Sequence, residues 1–275
     1  MTPGIETPGR RMPPAAKLWR SLFKPHRVSP PPYEPLRCSV PQVCGAEIAS
    51  VYYDHRVGGD FYEFLRVGPS RVLFALLDMA GGRAEVRAPL IAAQSIFRSL
   101  APELFAEQDV NETTAMMRLS TEMNLTILQT GLRNCPAFVG CYNEEVGTIC
   151  YASAGHTPAL LRDLAGIGRL DATGLPLGLF SHVTQSASTC LMAPGGALLV
   201  VSRGIVEAEY AGEEFGLERV ADAFERAAAQ SAHGVCLDIL QAVRDFTRRP
   251  PTHNDVTALV LVRHDVRHHP DGDPG

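Results

Sequence analysis

Short apolar runs bounded by turn residues are the feature of this sequence that most restricts its fold. Each run is rich in Val, Leu, Ile or aromatic residues and is bounded by Gly, Pro, Asn or Asp, which is typical of β-strands. One stretch, FVGCYNEEVGTICYASAG, indicates two such strands joined by a hairpin at NEEVG. The six runs that we predict as strands are EIASVYY, RVLFALLD, AFVGCYN, TICYASAG, GALLVVS and VTALVLVR.

Four longer segments have apolar residues at the three- to four-residue spacing of amphipathic helices. They are AEVRAPLIAAQSIFRSL and NETTAMMRLSTEMNLTILQ after the first strands, and GLERVADAFERAAAQ and HGVCLDILQAVRDF before the last strand. Because hairpins rather than regular helical crossovers join the strands, we predict an α+β fold in which helices pack outside antiparallel sheets. The 275 residues, 45% of them hydrophobic, suffice for the core of one large domain.

The two ends of the chain differ in composition from its middle. Residues 1–40 are dense in proline and carry seven Lys and Arg against two Glu, so we predict a disordered basic leader. Within this leader, AAKLWRSLFK has the spacing of a short basic helix that either packs on its own domain or contacts a partner or a membrane surface. We predict a disordered tail at 264–275, which leaves 41–263 as the folded domain.

The charge and hydropathy of the chain exclude several classes of protein. Beyond residue 40, the sequence carries 18 Lys and Arg against 28 Asp and Glu. Since proteins bind nucleic-acid phosphates by neutralising them, we do not expect such an acidic domain to bind nucleic acid. No apolar run approaches the roughly 18 residues of a transmembrane segment, and the N-terminus lacks the apolar core of a signal peptide. We therefore expect a cytoplasmic protein.

Three aspartates stand where predicted strands meet turns: Asp60 in GGDFYEF, Asp78 in LLDMAGG and Asp255 in HNDVTALVLV. Such positions can converge in space although they are far apart in sequence. Crowded carboxylates repel one another unless a cation neutralises them, and hard oxygen ligands favour Mg²⁺ or Mn²⁺ over zinc. For each aspartate alone, the simpler interpretation is that its side chain caps backbone amides in a turn.

Six motifs that include these aspartates resemble, in order, those of a known enzyme family. They are ASVYYDHRVGGDFYEF, LFALLDMAGG, ASAGHTPALL, GLPLGLF, APGGALLVVSRGIVEAEYAGEEFGLERV and NDVTALVLV. Spanning about residues 45–263, they are similar to motifs of the metal-dependent PPM-type (protein phosphatase 2C-like) serine/threonine phosphatases, in particular the bacterial SpoIIE/RsbU-like branch. The resemblance implies a four-layer α/β/β/α sandwich of two antiparallel sheets flanked by helices, with two Mg²⁺ or Mn²⁺ sites at one edge.

The resemblance also implies roles for individual residues. Asp78 would bridge the two metals, Asp60 would hold the second metal and Asp255 the first. The backbone carbonyl of Met79 would be a further ligand. The implied reaction is hydrolysis of phosphoserine or phosphothreonine on a signalling protein by a metal-activated water. Motif residues that would shape the site without being ligands are Gly59, His156 and Asn254.

One position departs from the pattern of the family. Where the family has an acidic metal ligand in a T-D-G triplet, this chain has Arg203 in VVSRGIVEAE. A permanent positive charge at a ligand position predicts weak binding of the first metal. Arg203 either pairs with Asp78 or Asp255, or points to solvent. Two functions remain open: a metal-dependent phosphatase, and a pseudophosphatase that keeps the fold as a protein-binding regulatory module.

Overall fold

Two sheets of five antiparallel strands form the centre of the fold in the computed structural model of the chain. The structure describes residues 40–53, 59–227, 231–248 and 255–264, except for the side chain of Arg83. In chain order the strands are β1 Ala46–Tyr53, β2 Asp60–Val67, β3 Arg71–Asp78, β4 Ala137–Asn143, β5 Thr148–Ala154, β6 Ala159–Asp163, β7 Gly166–Leu170, β8 Ser188–Leu191, β9 Ala197–Val201, β10 Glu209–Tyr210, β11 Glu213–Glu214 and β12 Val256–Arg263. The first sheet has the strand order β1-β12-β9-β6-β7 and the second β2-β3-β4-β5-β8, while β10 and β11 form a separate hairpin.

Helices cover the outer face of each sheet. Among the described residues, the helices are α1 Arg83–Phe105, α2 Glu112–Gln129, α3 Arg203–Val206, α4 Gly216–Arg226 and α5 Ala232–Thr247. Helices α1 and α2 share a buried cluster with the second sheet, and this cluster includes Phe97. Helices α4 and α5 share another cluster, which includes Phe224, with the first sheet. A third cluster, between the sheets, joins Phe74 of β3 to Leu259 of β12.

This arrangement confirms the predicted α+β fold with four layers, α/β/β/α. The six predicted strand runs are β1, β3, β4, β5, β9 and β12, and the four predicted helical segments are α1, α2, α4 and α5. Strands β3, β4 and β9 are buried along their whole length, because a helix layer covers one face of each strand and the opposite sheet covers the other. Burial on both faces explains why these strands are continuous apolar runs rather than alternating ones.

Strands β2, β6, β7 and β8 were not among the predicted strands. Strand β2 contains Glu63, which is buried and accepts hydrogen bonds from Gln94 (2.8 Å) and Arg98 (3.0 Å) of α1. Strands β7 and β8 lie at the sheet edges and expose most of their residues. A buried carboxylate and exposed edges both weaken the apolar pattern from which strands are predicted.

The predicted leader and tail fall almost entirely outside the described residues, which include only Val40 of the first and His264 of the second. The described residues all belong to one compact unit, Cys38–Gly275. None of the helices in the described part of the chain is long and apolar enough to cross a membrane.

Candidate functional site

The second sheet brings two of the predicted aspartates together at one edge. In the antiparallel register of β2 and β3, Asp60 lies directly opposite Asp78. Beyond Asp78 the pairing continues, because Met79 N donates to Gly59 O (3.1 Å). A Cβ atom at Gly59 would lie 1.9 Å from Met79 O, so a side chain at this position would displace the carbonyl. Gly59 therefore permits the close approach of the two strand ends.

The third aspartate, Asp255, is brought to the same edge by β12. Its Oδ2 accepts hydrogen bonds from the backbone N–H groups of Gly59 and Asp60 and from the hydroxyl of Tyr52 (3.1 Å). Its Oδ1 is buried and has no hydrogen-bond partner among the described residues. A buried carboxylate oxygen without a partner is costly, so it is an available ligand atom.

The carboxyl group of Asp60 is held in a different protonation state from an ordinary aspartate. Burial, and then the nearby charges of Asp78 and Asp255, raise its pKa from 3.8 to about 8, although hydrogen bonds from Thr257 and Ser202 oppose the shift. The Thr257 hydroxyl donates to Asp60 Oδ2. Asp60 is thus protonated at neutral pH in the absence of a bound cation.

Arg203 forms an ion pair with Asp78. The helix α3 begins at Arg203, one residue after β9 ends, and the backbone N–H of Arg203 donates to Asp78 Oδ2 (2.7 Å). The guanidinium adds two bonds, from Nε to Oδ2 (3.1 Å) and from Nη2 to Oδ1 (2.9 Å). Asp78 raises the pKa of Arg203 further through these contacts. The sequence left open whether Arg203 pairs with Asp78, pairs with Asp255 or points to solvent. In the structure it pairs with Asp78.

The placement of Arg203 follows from how β9 and β12 meet. Ser202 N donates to Thr257 O (3.0 Å), and Thr257 N donates to the Ser202 hydroxyl (3.0 Å). This reciprocal pair joins the end of β9 to the start of β12, so that α3 begins beside the carboxylates. Sequence reasoning missed Ser202, Thr257 and Tyr52, because hydroxyl groups are common in strands and carry no spacing signal.

A small cavity of about 40 Å³ lies between these groups. Its volume is enough for a few water molecules or a single ion. All four predicted metal ligands line it together with Arg203 and three glycines. The full set is Gly59, Asp60, Asp78, Met79, Gly81, Arg203, Gly204 and Asp255.

The groups around the cavity do not fit the two-metal centre that the family resemblance implies. Both oxygens of Asp78, the expected bridging ligand, accept hydrogen bonds from Arg203. Within the described ranges, no three His, Cys, Asp or Glu side chains are arranged to hold a metal ion. The site thus brings the three predicted carboxylates together, and a guanidinium rather than a metal ion is bound to one of them.

His156, a further predicted site residue, contributes no group to the cavity. It is buried, its Nδ1–H donates to Thr157 O (2.9 Å), and its ring packs edge-on against Phe138. Burial lowers the pKa of His156, so the ring is neutral. Asn254 lies outside the described residues.

Comparison with known proteins agrees with this fold. The model of one family, described as stage II sporulation protein E (SpoIIE), matches residues 68–264. Comparison of the sequence with curated proteins gives no match.

Several solved structures share the fold. The RsbU and RsbW domains of Rv1364c from Mycobacterium tuberculosis align with a TM-score of 0.71 and 23% identity, over 84% of this chain and 64% of that one. The PP2C phosphatase domain of SpoIIE from Bacillus subtilis, with a fragment of its regulatory domain, aligns with a TM-score of 0.66 and 14% identity, over 81% of this chain and 64% of that one. The SiaA PP2C domain of Pseudomonas aeruginosa aligns with a TM-score of 0.66 and 17% identity, over 79% of this chain and 85% of that one. The chain thus spans just under two thirds of the first two structures.

Proposed function

The chain belongs to the SpoIIE family of PP2C-type phosphatase domains, and we propose that it is a regulatory member that binds a phosphorylated signalling protein without hydrolysing it. Family membership supports the choice of partner, since regulatory phosphatases of this family act on phosphorylated signalling proteins. The acidic domain argues against a nucleic-acid partner. We place the protein in the cytoplasm, with the basic N-terminal segment as a second contact to the partner or to a membrane surface.

The contact between Arg203 and Asp78 is the observation that carries this proposal. A bidentate guanidinium–carboxylate pair is among the strongest polar contacts in proteins, and here a backbone N–H reinforces it. To bridge two metals, Asp78 would have to exchange these bonds for metal coordination beside a permanent positive charge. Asp78 is 6% exposed, and charge repulsion is strong where water is scarce. A two-metal centre is therefore disfavoured.

A second candidate function is a Mg²⁺- or Mn²⁺-dependent serine/threonine phosphatase. One observation favours it: Asp60, Asp78, Met79 and Asp255 line the same cavity, and Asp255 Oδ1 has no hydrogen-bond partner in the described part of the chain. If these residues held metal ions, the metals would supply a water of lowered pKa and offset negative charge on the phosphoryl group.

Hydrolysis of a phosphoserine peptide in millimolar Mn²⁺ distinguishes the two functions. Under our proposal, the natural protein releases phosphate no faster than its Asp78→Asn variant. Asp109→Asn, at an exposed turn between α1 and α2, is the matched control. Turnover by the natural protein and by the control, abolished in Asp78→Asn, would establish the phosphatase and refute the non-hydrolytic proposal.

A further inference from the structure

The four most exposed large hydrophobic side chains in the described part of the chain all lie at one end of the sandwich. They are Leu164 (98% exposed), Leu191 (62%), Val146 (56%) and Val40 (53%). We call the end that these four residues define the distal end, because it lies opposite the carboxylate cavity. Apolar side chains scattered singly over a surface are ordinary, whereas a group of them at one place marks a site of interaction.

The register of the strands places these side chains at the distal end. Val146 lies in the turn between β4 and β5, beside the start of β3, and Asp78 is the last residue of β3. Leu191 ends β8 and pairs with Thr148, the first residue of β5. Leu164 lies in the turn between β6 and β7, where β9 starts and β12 ends. The turn between β8 and β9 is bonded to the last residue of β12, so the two sheets share this end.

The exposed side chains stand on separate projections rather than around one groove. Leu164 and Val146 lie in different turns, and Leu191 ends a strand at the edge of its sheet. A folded protein partner would need a matching depression for each of them, because protein interfaces are closely packed. A fluid bilayer instead adapts to irregular apolar projections. The shape of the distal end therefore favours lipid.

The described chain begins at this same end. Gln42 O accepts a hydrogen bond from Arg66, near the distal end of β2, and Val40 is two residues before Gln42. Residues 1–40 carry seven Lys and Arg against two Glu, and AAKLWRSLFK has the spacing of a short basic amphipathic helix. Basic and apolar side chains together bind a bilayer that contains anionic lipids, through its headgroups and its acyl chains respectively.

The described turns of the distal end add no attraction to anionic lipid by charge. Glu145 and Asp163 are exposed next to Val146 and Leu164. The electrostatic part of the interaction is therefore assigned to the basic N-terminal residues, and the apolar part to the projecting side chains. Both parts are needed, because neither a few apolar side chains nor a short basic segment alone gives stable attachment.

We propose that the distal end docks on a bilayer containing anionic lipids, with Leu164, Val146 and Leu191 entering the headgroup and upper acyl region. The eight residues of β3 span about 26 Å, so the carboxylate cavity lies at about that distance from the bilayer and faces the aqueous phase. A partner protein can then reach the cavity while the chain is bound to lipid. This inference does not depend on whether the protein hydrolyses phosphate.

Co-sedimentation of the full chain with vesicles tests the proposal. Phosphatidylcholine vesicles with about 30% phosphatidylserine should bind the chain at least about tenfold more tightly than phosphatidylcholine alone. Leu164→Ser should lower the partition coefficient for the mixed vesicles about tenfold, because the leucine side chain no longer enters the acyl region. Leu175→Ser should leave it unchanged. Leu175 is an exposed leucine at the carboxylate end, where Gly174 bridges to the last residue of β5.

Fluorescence quenching locates the distal end relative to the bilayer. The chain has one tryptophan, Trp19, so Trp19→Phe gives a background without this fluorophore. In that background, Leu164→Trp should be quenched by phosphatidylcholine brominated on its acyl chains, whereas Leu175→Trp should not.

Three results would each overturn the proposal, provided that circular dichroism melting shows each variant to be folded. The first is the absence of binding to both kinds of vesicle, as expected if the distal end binds a protein instead. The second is binding that Leu164→Ser does not weaken, as expected if the basic segment alone holds the bilayer. The third is equal quenching at positions 164 and 175.

Discussion

At the scale of single residues, Arg203 determines the electrostatics of the site. It is 34% exposed through its side chain, yet both its guanidinium and its backbone bind Asp78. The chain itself thus supplies a cation to the carboxylate that the family resemblance predicts as a metal ligand. The positive charge of Arg203 is not removed by deprotonation in the pH range of ordinary proteins.

Arg203→Asp should create a pocket of carboxylates without an internal cation. We expect Mn²⁺ to bind this variant more than about tenfold more tightly than the natural protein, equivalent to over about 1.4 kcal/mol. Calorimetric titration of both proteins measures the difference. Arg118→Asp, on α2, is the control for the change in net charge. Equal Mn²⁺ affinities in folded proteins would contradict a role for Arg203 at the metal position.

The raised pKa of Asp60 predicts a pH dependence of stability. The folded carboxyl has a pKa of about 8 and an ordinary aspartate has one of 3.8, so between these pH values the folded state holds a proton that the unfolded chain lacks. The free energy of unfolding therefore falls as pH rises through this window.

Asp60→Asn removes this titration. In metal-free buffer we expect a flatter stability profile from pH 5 to 8, and at pH 8 a variant more stable than the natural protein by at least about 1 kcal/mol. Urea unfolding at several pH values measures both. Asp171→Asn, at an exposed aspartate, should reproduce the natural profile. Parallel profiles for the natural protein and Asp60→Asn would show that Asp60 is ionised at neutral pH.

At the scale of elements, the long connection between β7 and β8 is held against the end of α2. Asn124 of α2 accepts a hydrogen bond from Gly178 N (2.8 Å) and donates one to Phe180 O (2.9 Å). Leu177 and Cys135 exchange two backbone hydrogen bonds (2.8 and 2.9 Å). Since Pro136 O accepts from Asp78 N (2.9 Å), this connection continues the edge on which the carboxylates lie.

Asn124→Ala should release this connection. Asn124 is 1% exposed and Gly178 is buried, so the substitution leaves Gly178 N without its partner in a buried environment and removes the bond to Phe180 O. We expect a loss of about 3 kcal/mol in the free energy of unfolding, measured in urea. Gln129→Ala, at an exposed position of the same helix, should change it by less than about 0.5 kcal/mol. Equal effects of the two substitutions would mean that the two hydrogen bonds contribute little.

At the scale of the whole molecule, the sandwich is expected to fold without the proline-dense N-terminal residues. A hydrogen bond from Arg66 of β2 to Gln42 O joins the start of the described chain to the sandwich. A chain that starts at Val40 keeps this bond. Removal of residues 1–39 should change the melting temperature by less than about 4 °C, which corresponds to roughly 1 kcal/mol for a domain of this size. Calorimetry measures the shift. A larger decrease would show that the KLWRSLF segment packs into the fold.

From the sequence, apolar periodicity predicted antiparallel sheets with helices outside them, and the family resemblance implied the four layers. Periodicity depends on the burial of each residue, so strands buried on both faces such as β3 and long amphipathic helices such as α2 are predictable without tertiary information. The acidic residues at strand ends are likewise visible in short motifs, and the departure at Arg203 follows from comparing such a motif with the family pattern.

Only the tertiary structure decided what these residues do to one another. Arg203 and Asp78 are 125 positions apart in sequence, and Asp60 and Asp255 are 195 apart. Whether Arg203 would bind Asp78, bind Asp255 or face solvent depended on the reciprocal hydrogen bonds between Ser202 and Thr257, which align β9 with β12. The protonation of Asp60 arises in the same way, from burial and from the nearby charges of Asp78 and Asp255. Coulomb energies and hydrogen bonds act over a few ångströms in space, and no local pattern encodes which distant residues will come that close.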